Sequence, residues 1–251
     1  MEIAVFSDIH GNLTGLESIL SDIKGHQPDE VVVAGDLCMM GARPAECLEL
    51  IRSRHFKVIY GNTDEWLLGR QKPPPHLEQA AEWTADRLTK EARTWLAQLP
   101  FQIRFSPTGA PKDDLLIVHA NPIDVNRIIF PPEEQQQALY GRVRQADNEL
   151  GSILADTEAA VLAFGHLHIP SVRVWGKMKL VNISSVSLPG DGDPRAKYSI
   201  LTWNNGSWHI DQYHVSYDLE AEVDALHQNP IPGWEEAMQT LERQRFIPQR
   251  V

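Results

Sequence analysis

The sequence predicts an α/β fold whose first part is a mainly parallel sheet. Three observations carry that expectation. Short apolar runs alternate with helical periodicity through the first sixty residues. Strand-like runs resume after residue 160, with no long helix between the last four. Five of the apolar runs end in a Gly, His, Asp or Asn.

Ile3-Ala4-Val5-Phe6 is a short apolar run of the buried-strand kind. Leu13, Leu16, Ile19, Leu20 and Ile23 then recur at helical spacing, with Gly25 near the stop. Val31-Val32-Val33-Ala34 is a second strand, and Pro44 opens a helix with Cys47, Leu48 and Ile51 on one side. Val58-Ile59-Tyr60 is a third strand. This order makes right-handed crossovers and parallel pairing. Residues 77–98 read as helical after the break at Pro73-Pro74-Pro75, followed by strands at 101–105 and 114–118. Residues 132–155, rich in Gln and Glu, read as another helical stretch. Strand-like runs follow at 160–164, 171–175, 178–183, 198–203 and 207–215, and the absence of a long helix among the last four implies antiparallel pairing there, in a mixed sheet or a second one. Helical spacing returns over 218–246 through Leu219, Val223 and Leu226, then Trp234, Met238 and Leu241. With no internal repeat, residues 1–251 are expected to form a single domain. It carries helical insertions at about 65–99 and 122–156 and a helical tail at about 218–251.

Composition narrows the class. The 251 residues are 42% hydrophobic and 23% charged, so wholesale disorder is excluded, and their net charge of −11 speaks against nonspecific coating of nucleic acid. Cys38 and Cys47 are too few for a disulfide framework and read as small buried hydrophobes in a reducing compartment. The start, MEIAVFSDIHGN, has no basic segment before its short apolar run, and no apolar stretch approaches membrane-spanning length. A cytoplasmic protein with no membrane partner is expected. Nothing in the sequence sets its oligomeric state.

The chemistry collects where the strands end. Asp8 and His10 follow the first strand, Asp36 the second, Asn62 the third, His119 the strand at 114–118, and His166 and His168 the run at 160–164. In a parallel sheet such ends converge on one ligand-binding edge. Taken singly, each has an ordinary role: Asp8 as a helix cap, Asn62 as a turn residue, His119 as a hydrogen-bonded core imidazole. Recurrence at five strand ends argues against five separate structural roles. Asp8 with His10, and His166 with His168, are alternate residues, which in an extended chain face one side.

Seven candidate ligands exceed the needs of one tetrahedral zinc site and suit two divalent ions. Imidazole and carboxylate donors without thiolate point to Mn, Fe, Zn or Ni. A bridging carboxylate and a bridging hydroxide would form the two-metal clamp of phosphoryl displacement. The site would then carry about +1 locally and admit a small phosphorylated substrate.

Asp8-Ile9-His10, Gly35-Asp36, Gly61-Asn62, His119 and Gly165-His166-Leu167-His168 resemble, in order, the motifs of the calcineurin-like metallophosphoesterases. The segments 165–170 and 190–196 look most like the small prokaryotic branch of that superfamily. The resemblance covers about residues 1–215. It implies a four-layer αββα sandwich of two mixed sheets flanked by helices, with a helical cap insertion. It further implies that Asp8, His10 and His168 bind one metal, Asn62, His119 and His166 the other, and that Asp36 bridges them. The insertions at 65–99 and 122–156, lying between motif strands, are expected to form the cap beside the metals.

Two departures stand out. Where many members carry a His after the motif Asn, this chain has Thr63, too weak an acid to protonate a leaving group near neutral pH. Ile183-Ser184-Ser185-Val186-Ser187 replaces a Gly-Ser-Val-Gly-like loop. The expected function is therefore hydrolysis of a phosphodiester or phosphoanhydride by a metal-bridging hydroxide, with Asp36 and Asn62 as catalytic residues. The alternatives are a phosphomonoesterase or serine/threonine phosphoprotein phosphatase, or a non-catalytic interaction module of the same fold. Asp64 reads as either an orienting or a turn residue. Arg195 reads as an ion-pair residue more than a phosphate ligand. His26, His55, His76, His209, His214 and His227 have no motif context.

Overall fold

The strand alternation becomes two five-stranded sheets in the computed structural model, which describes residues 1–233 and Gln239. The first has the order β10-β9-β1-β2-β3. In it β1 (Glu2–Phe6), β2 (Glu30–Ala34) and β3 (Lys57–Ile59) run parallel, and β9 (Ala196–Asn204) and β10 (Ser207–Val215) join antiparallel. The second has the order β4-β5-β6-β8-β7. It comprises β4 (Gln102–Phe105), β5 (Leu115–Val118), β6 (Val161–Phe164), β7 (Ser171–Trp175) and β8 (Met178–Asn182). Antiparallel pairing holds as expected for β9 with β10 and β7 with β8. β8 also pairs parallel with β6, because β7 swings to the edge of the sheet.

The period of two in each strand builds the layers. Ile3 and Val5 face the second sheet with Val32, Ala34, Leu115, Ile117, Val161 and Ala163. Ala4, Phe6 and Val33 face outward onto α1 (Leu13–His26) and α2 (Pro44–Ser53). On the far side, Leu116, Val118, Leu162 and Phe164 pack on α7 (Gly151–Leu154). Helices thus flank both sheets. The C-terminal α8 (Leu219–Gln228) lays Ala225 and Leu226 against Ala42 and Leu188.

Local chemistry sets the helix ends. Asn12 caps α1 by accepting from the Gly15 amide, and the helix passes through Gly25 before Gln27 turns left-handed at φ 54°. The stretch read as one helix over 77–98 is two, α4 (Glu78–Arg87) and α5 (Lys90–Leu96). Leu88 is extended, and Thr89 starts the second by accepting from the Ala92 amide. Likewise 132–155 is not continuous. After α6 (Glu133–Tyr140), Gly141 turns at φ 70°, and buried Gln136 holds the next turn through the Arg144 and Gln145 amides. The cap expectation divides as well. Ala80, Ala81, Leu88, Ala92 and Leu96 join the outer helical layer with α1 and α2, whereas the loop at 121–130 reaches the strand ends. Trp234, Met238 and Leu241 lie outside the described residues. Among the described residues no helix is long and apolar enough to cross a membrane.

Candidate metal centre

Strand ends from both sheets meet at one edge, and the backbone there is unusual. Asp8, His10, Asp36, His166 and His168 all lie in the left-handed region, at φ 55°, 48°, 56°, 64° and 60°. Asp and His tolerate that region better than most residues, yet each such position costs on the order of 1–3 kcal/mol and persists only where the surroundings over-determine it. They do. The Asp8 amide donates to Gly35 O at 3.0 Å, and the Ile9 and His10 amides both donate to Asp36 O. The His166 amide donates to Asp8 Oδ2 at 2.9 Å. Glycines make the approach feasible: a Cβ on Gly165 would lie 2.1 Å from Asp8 Oδ2, and one on Gly61 2.2 Å from Asp36 Oδ1.

All seven expected residues come together, as two groups. Asp8, His10 and His168 bring one ligand atom each within 4.8 Å of one another, and Asp36, His119 and His166 do the same. The Asp36 carboxylate spans the groups: Oδ2 is 3.7 Å from His10 Nε2 and Oδ1 is 3.5 Å from His119 Nε2. Asn62, in the first turn of α3 (Asn62–Leu67), places Oδ1 2.9 Å from His119 Nε2. Alternation in an extended chain is not what brings them there. His166 and His168 are left-handed and serve different groups.

The second ring nitrogen of each of the four site histidines is engaged by a backbone carbonyl. His10 Nδ1 lies 3.0 Å from Met39 O, His119 Nδ1 2.9 Å from Ala34 O, His168 Nδ1 2.8 Å from Leu188 O, and His166 Nε2 3.0 Å from Asn126 O. A carbonyl carries no proton, so these nitrogens donate, and the opposite nitrogens keep their lone pairs. His10, His119 and His168 therefore offer Nε2, whereas His166 offers Nδ1. This is the outer hydrogen bonding that orients metal-binding imidazoles.

Those lone pairs face one another. His10 Nε2 and His168 Nε2 are 3.2 Å apart, and His119 Nε2 faces the Asn62 carbonyl oxygen at 2.9 Å. Two acceptors at hydrogen-bond distance need a positive charge between them. The donor set therefore fits a cation at each group. Without one, a proton does the work. Burial opposes charge on His168, but Asp8 outweighs it and raises its pKa above the usual imidazole value. His119 is raised likewise, burial being outweighed by Asp36 and Asp8. Burial pushes His10 down, and pushes His166 down to about 4. Asp8 resists the upward push of burial because His168 holds it low.

Neighbouring residues support this edge. Asp64 is buried and accepts from the Asp36, Gly61 and Leu37 amides, which makes it the residue that fixes Asp36 in place. Burial and the Asp36 charge push its pKa up to about 7. The Thr63 amide donates to Asp36 Oδ1, and its hydroxyl is buried with no protein partner. The 183–187 segment backs the first group. Ser187 N donates to Asp8 O, Val186 N to Ser7 O, and Ser184 Oγ to His168 O. Arg195 pairs with Asp193, which also meets His214. The carbonyl partners were invisible to side-chain reading, since a backbone oxygen has no sequence signature.

Residues 1–206 match the model of the calcineurin-like phosphoesterase superfamily domain. An uncharacterized protein of Methanocaldococcus jannaschii is 28% identical over 92% of this chain and 94% of its own length. A symmetrical bis(5'-nucleosyl)-tetraphosphatase of Actinobacillus pleuropneumoniae is 30% identical over 48% of this chain, and the match spans 45% of that protein. A metallophosphoesterase from Sphaerobacter thermophilus shares the fold with a TM-score of 0.74 at 23% identity, over 97% of this chain and 98% of that one. A hypothetical protein from Pyrococcus horikoshii does so with a TM-score of 0.78 at 19% identity, over 96% and 97%.

Proposed function

The chain belongs to the calcineurin-like phosphoesterase superfamily, and on that premise we propose that it hydrolyses small phosphodiesters or phosphoanhydrides at a pair of divalent cations. Membership itself makes it a hydrolase acting on phosphoesters. The observation that carries the two-cation reading is the pair of facing acceptors, His10 with His168 and His119 with Asn62. In this reading Asp8, His10 and His168 hold one cation, Asn62, His119 and His166 the other, and Asp36 lies between them. Mn, Fe, Zn or Ni suits such donors. Cations bound there supply charge neutralisation at the phosphoryl group and a more acidic water.

The chain's own residues do the rest. Asp36 is held by Asp64 and the Thr63 amide, so its two oxygens are presented to opposite sides without reorganisation. Asn62 has an amide group with which to hold a phosphoryl oxygen. Thr63 sets the substrate class. Its hydroxyl has a far higher pKa than an imidazolium and cannot deliver a proton efficiently near neutral pH. Substrates whose leaving group departs without protonation, such as activated diesters and anhydrides, are favoured. The match to a bis(5'-nucleosyl)-tetraphosphatase supports the anhydride side. Cys38 and Cys47, free and buried, support a cytoplasmic, reducing setting.

A kinetic panel with Mn²⁺ tests this reading: bis(p-nitrophenyl) phosphate and bis-nucleoside polyphosphates against p-nitrophenyl phosphate, in the parent and in Thr63→His. The parent is expected to prefer the first two, and the variant to shift toward the monoester. An unchanged ratio removes the role given to Thr63. A parent that prefers the monoester makes the protein a phosphomonoesterase or phosphoprotein phosphatase instead.

A further inference from the structure

Of the four carbonyls that orient the site histidines, three belong to buried hydrogen bonds at strand ends or the loops packed on them. The fourth, Asn126 O on His166 Nε2, comes from a partly exposed loop after β5. The buried anchor of that loop is a side chain two residues beyond His119, while Asn126 itself is also held from outside by Gln71, which accepts from its Nδ2 at 2.9 Å. Asn121 is fully buried. Its Oδ1 accepts from the Ile123 and Asp124 amides at 2.7 and 3.0 Å, and its Nδ2 donates to Asp124 Oδ1 at 3.1 Å and Arg127 O at 2.8 Å. Asp124 Oδ1 in turn accepts from the Asn126 and Arg127 amides at 2.9 and 2.7 Å. Every hydrogen-bonding position of the Asn121 amide is thus spent on the 121–127 turn, and the turn presents the Asn126 carbonyl.

We propose that Asn121 is a positioning residue: through the 121–127 turn it seats the Asn126 carbonyl on His166 Nε2 and commits His166 Nδ1 to the Asp36–His119 group. The chemistry is one of exclusion. A neutral imidazole has one N–H and one lone pair. While Nε2 donates to Asn126 O, the ring cannot rotate that nitrogen toward Asp36 without losing the bond. Free of the carbonyl, either nitrogen can face the group. A donor whose orientation is not fixed binds a cation less well, and loss of such outer partners typically costs about 10–100-fold in metal affinity. Asp124 shares the duty as the turn's second anchor.

This inference rests on the two-cation reading only in its affinity arm. The first measurement needs no metal: ¹⁵N NMR of the histidine rings in the metal-free protein, in the parent, Asn121→Ala, Asp124→Ala and Asp124→Asn. The parent is expected to show a single His166 state protonated at Nε2. Both alanine variants should give an averaged or doubled His166 signal with His10 and His168 unchanged, and Asp124→Asn, whose amide oxygen still accepts, should restore the parent pattern. The second measurement titrates Zn²⁺ by calorimetry, with the same ring signals reporting which group fills. The alanine variants should lose about 10–100-fold at the Asp36–His119–His166 group and little at the other. Should Asn121→Ala fail to fold, Asp124→Ala decides, since that side chain lies in a partly exposed turn. Unchanged His166 signals in a folded variant overturn the proposal, as does an equal loss at both groups. A parent that binds no Zn²⁺ overturns the two-cation reading and leaves the ring measurement to decide the role of Asn121.

Discussion

The Asp8–His10–His168 group and the Asp36–His119–His166 group have the same donor types and different supports. In the first, both rings hydrogen-bond to buried carbonyls, Met39 O and Leu188 O, and Asp8 is fully buried. In the second, His119 is anchored as deeply, on Ala34 O, but His166 is partly exposed and its carbonyl belongs to a loop. One group is oriented by loops buried against the strand ends. The other is completed by a connection whose shape depends on Asn121 and Asp124. Loops are where related folds vary most freely. The second group could therefore be tuned without disturbing the first.

Asp36 breaks that comparison most severely, because its carboxylate reaches both groups. Asp36→Asn keeps the shape and removes the charge. Turnover is expected to fall by about 10²–10³-fold, as when a preorganised electrostatic contact is lost at a reacting centre. Zn²⁺ or Mn²⁺ affinity should drop at both groups together. A loss confined to one group would show that Asp36 serves one cation alone.

The pH dependence comes next in size and treats the groups alike. In the metal-free protein His168 and His119 titrate above the ordinary imidazole value, one in each group. Their charged forms are favoured in the fold. Their contribution to stability is complete below about pH 6.5, the unfolded value, and is lost as pH rises through the raised folded values. A cation binding at either group must displace the proton held there. Affinity at each group should therefore rise by up to about tenfold per pH unit below the raised value and flatten above it. His166, held down at about 4, adds nothing across the neutral range. Calorimetry in buffers of different ionisation enthalpy counts the released protons, and a slope at only one group would separate the two electrostatically.

How much of this was legible beforehand follows from what a side chain can reveal. Asp8, His10, Asp36, Asn62, His119, His166 and His168 could be picked out because strand ends are marked by apolar runs, and five such ends carrying polar residues repeat a pattern. The left-handed backbone at five of these positions was not legible, and the extended-chain account of His166 with His168 failed for that reason. Nor were the orienting carbonyls, whose positions depend on long-range packing such as that of Leu188 against α8. Helix breaks at Thr89 and Gly141 were within reach, since each residue has the chemistry of a cap or a stop. The split of the expected cap was not. Ala80, Ala81 and Ala92 have helical spacing, but nothing local says which layer they join.

The smallest predicted effect gives the sharpest form of the comparison. Ser184 stands behind the first group as Asn121 stands behind the second, at φ 70° with its hydroxyl on His168 O at 2.9 Å. Yet His168 O also accepts from the Gly190 amide at 2.8 Å, and the ring is fixed separately through Leu188 O. Ser184→Ala removes one hydrogen bond, worth about 1 kcal/mol, and leaves no orphaned carbonyl. Thermal or denaturant unfolding should register that loss, while Zn²⁺ affinity at the first group falls by less than the roughly tenfold that loss of an orienting partner costs. Redundant backbone contacts are what make the buried group tolerant. A tenfold or larger loss at the first group would mean that it too hangs on a single side chain, and the two groups would differ in burial alone.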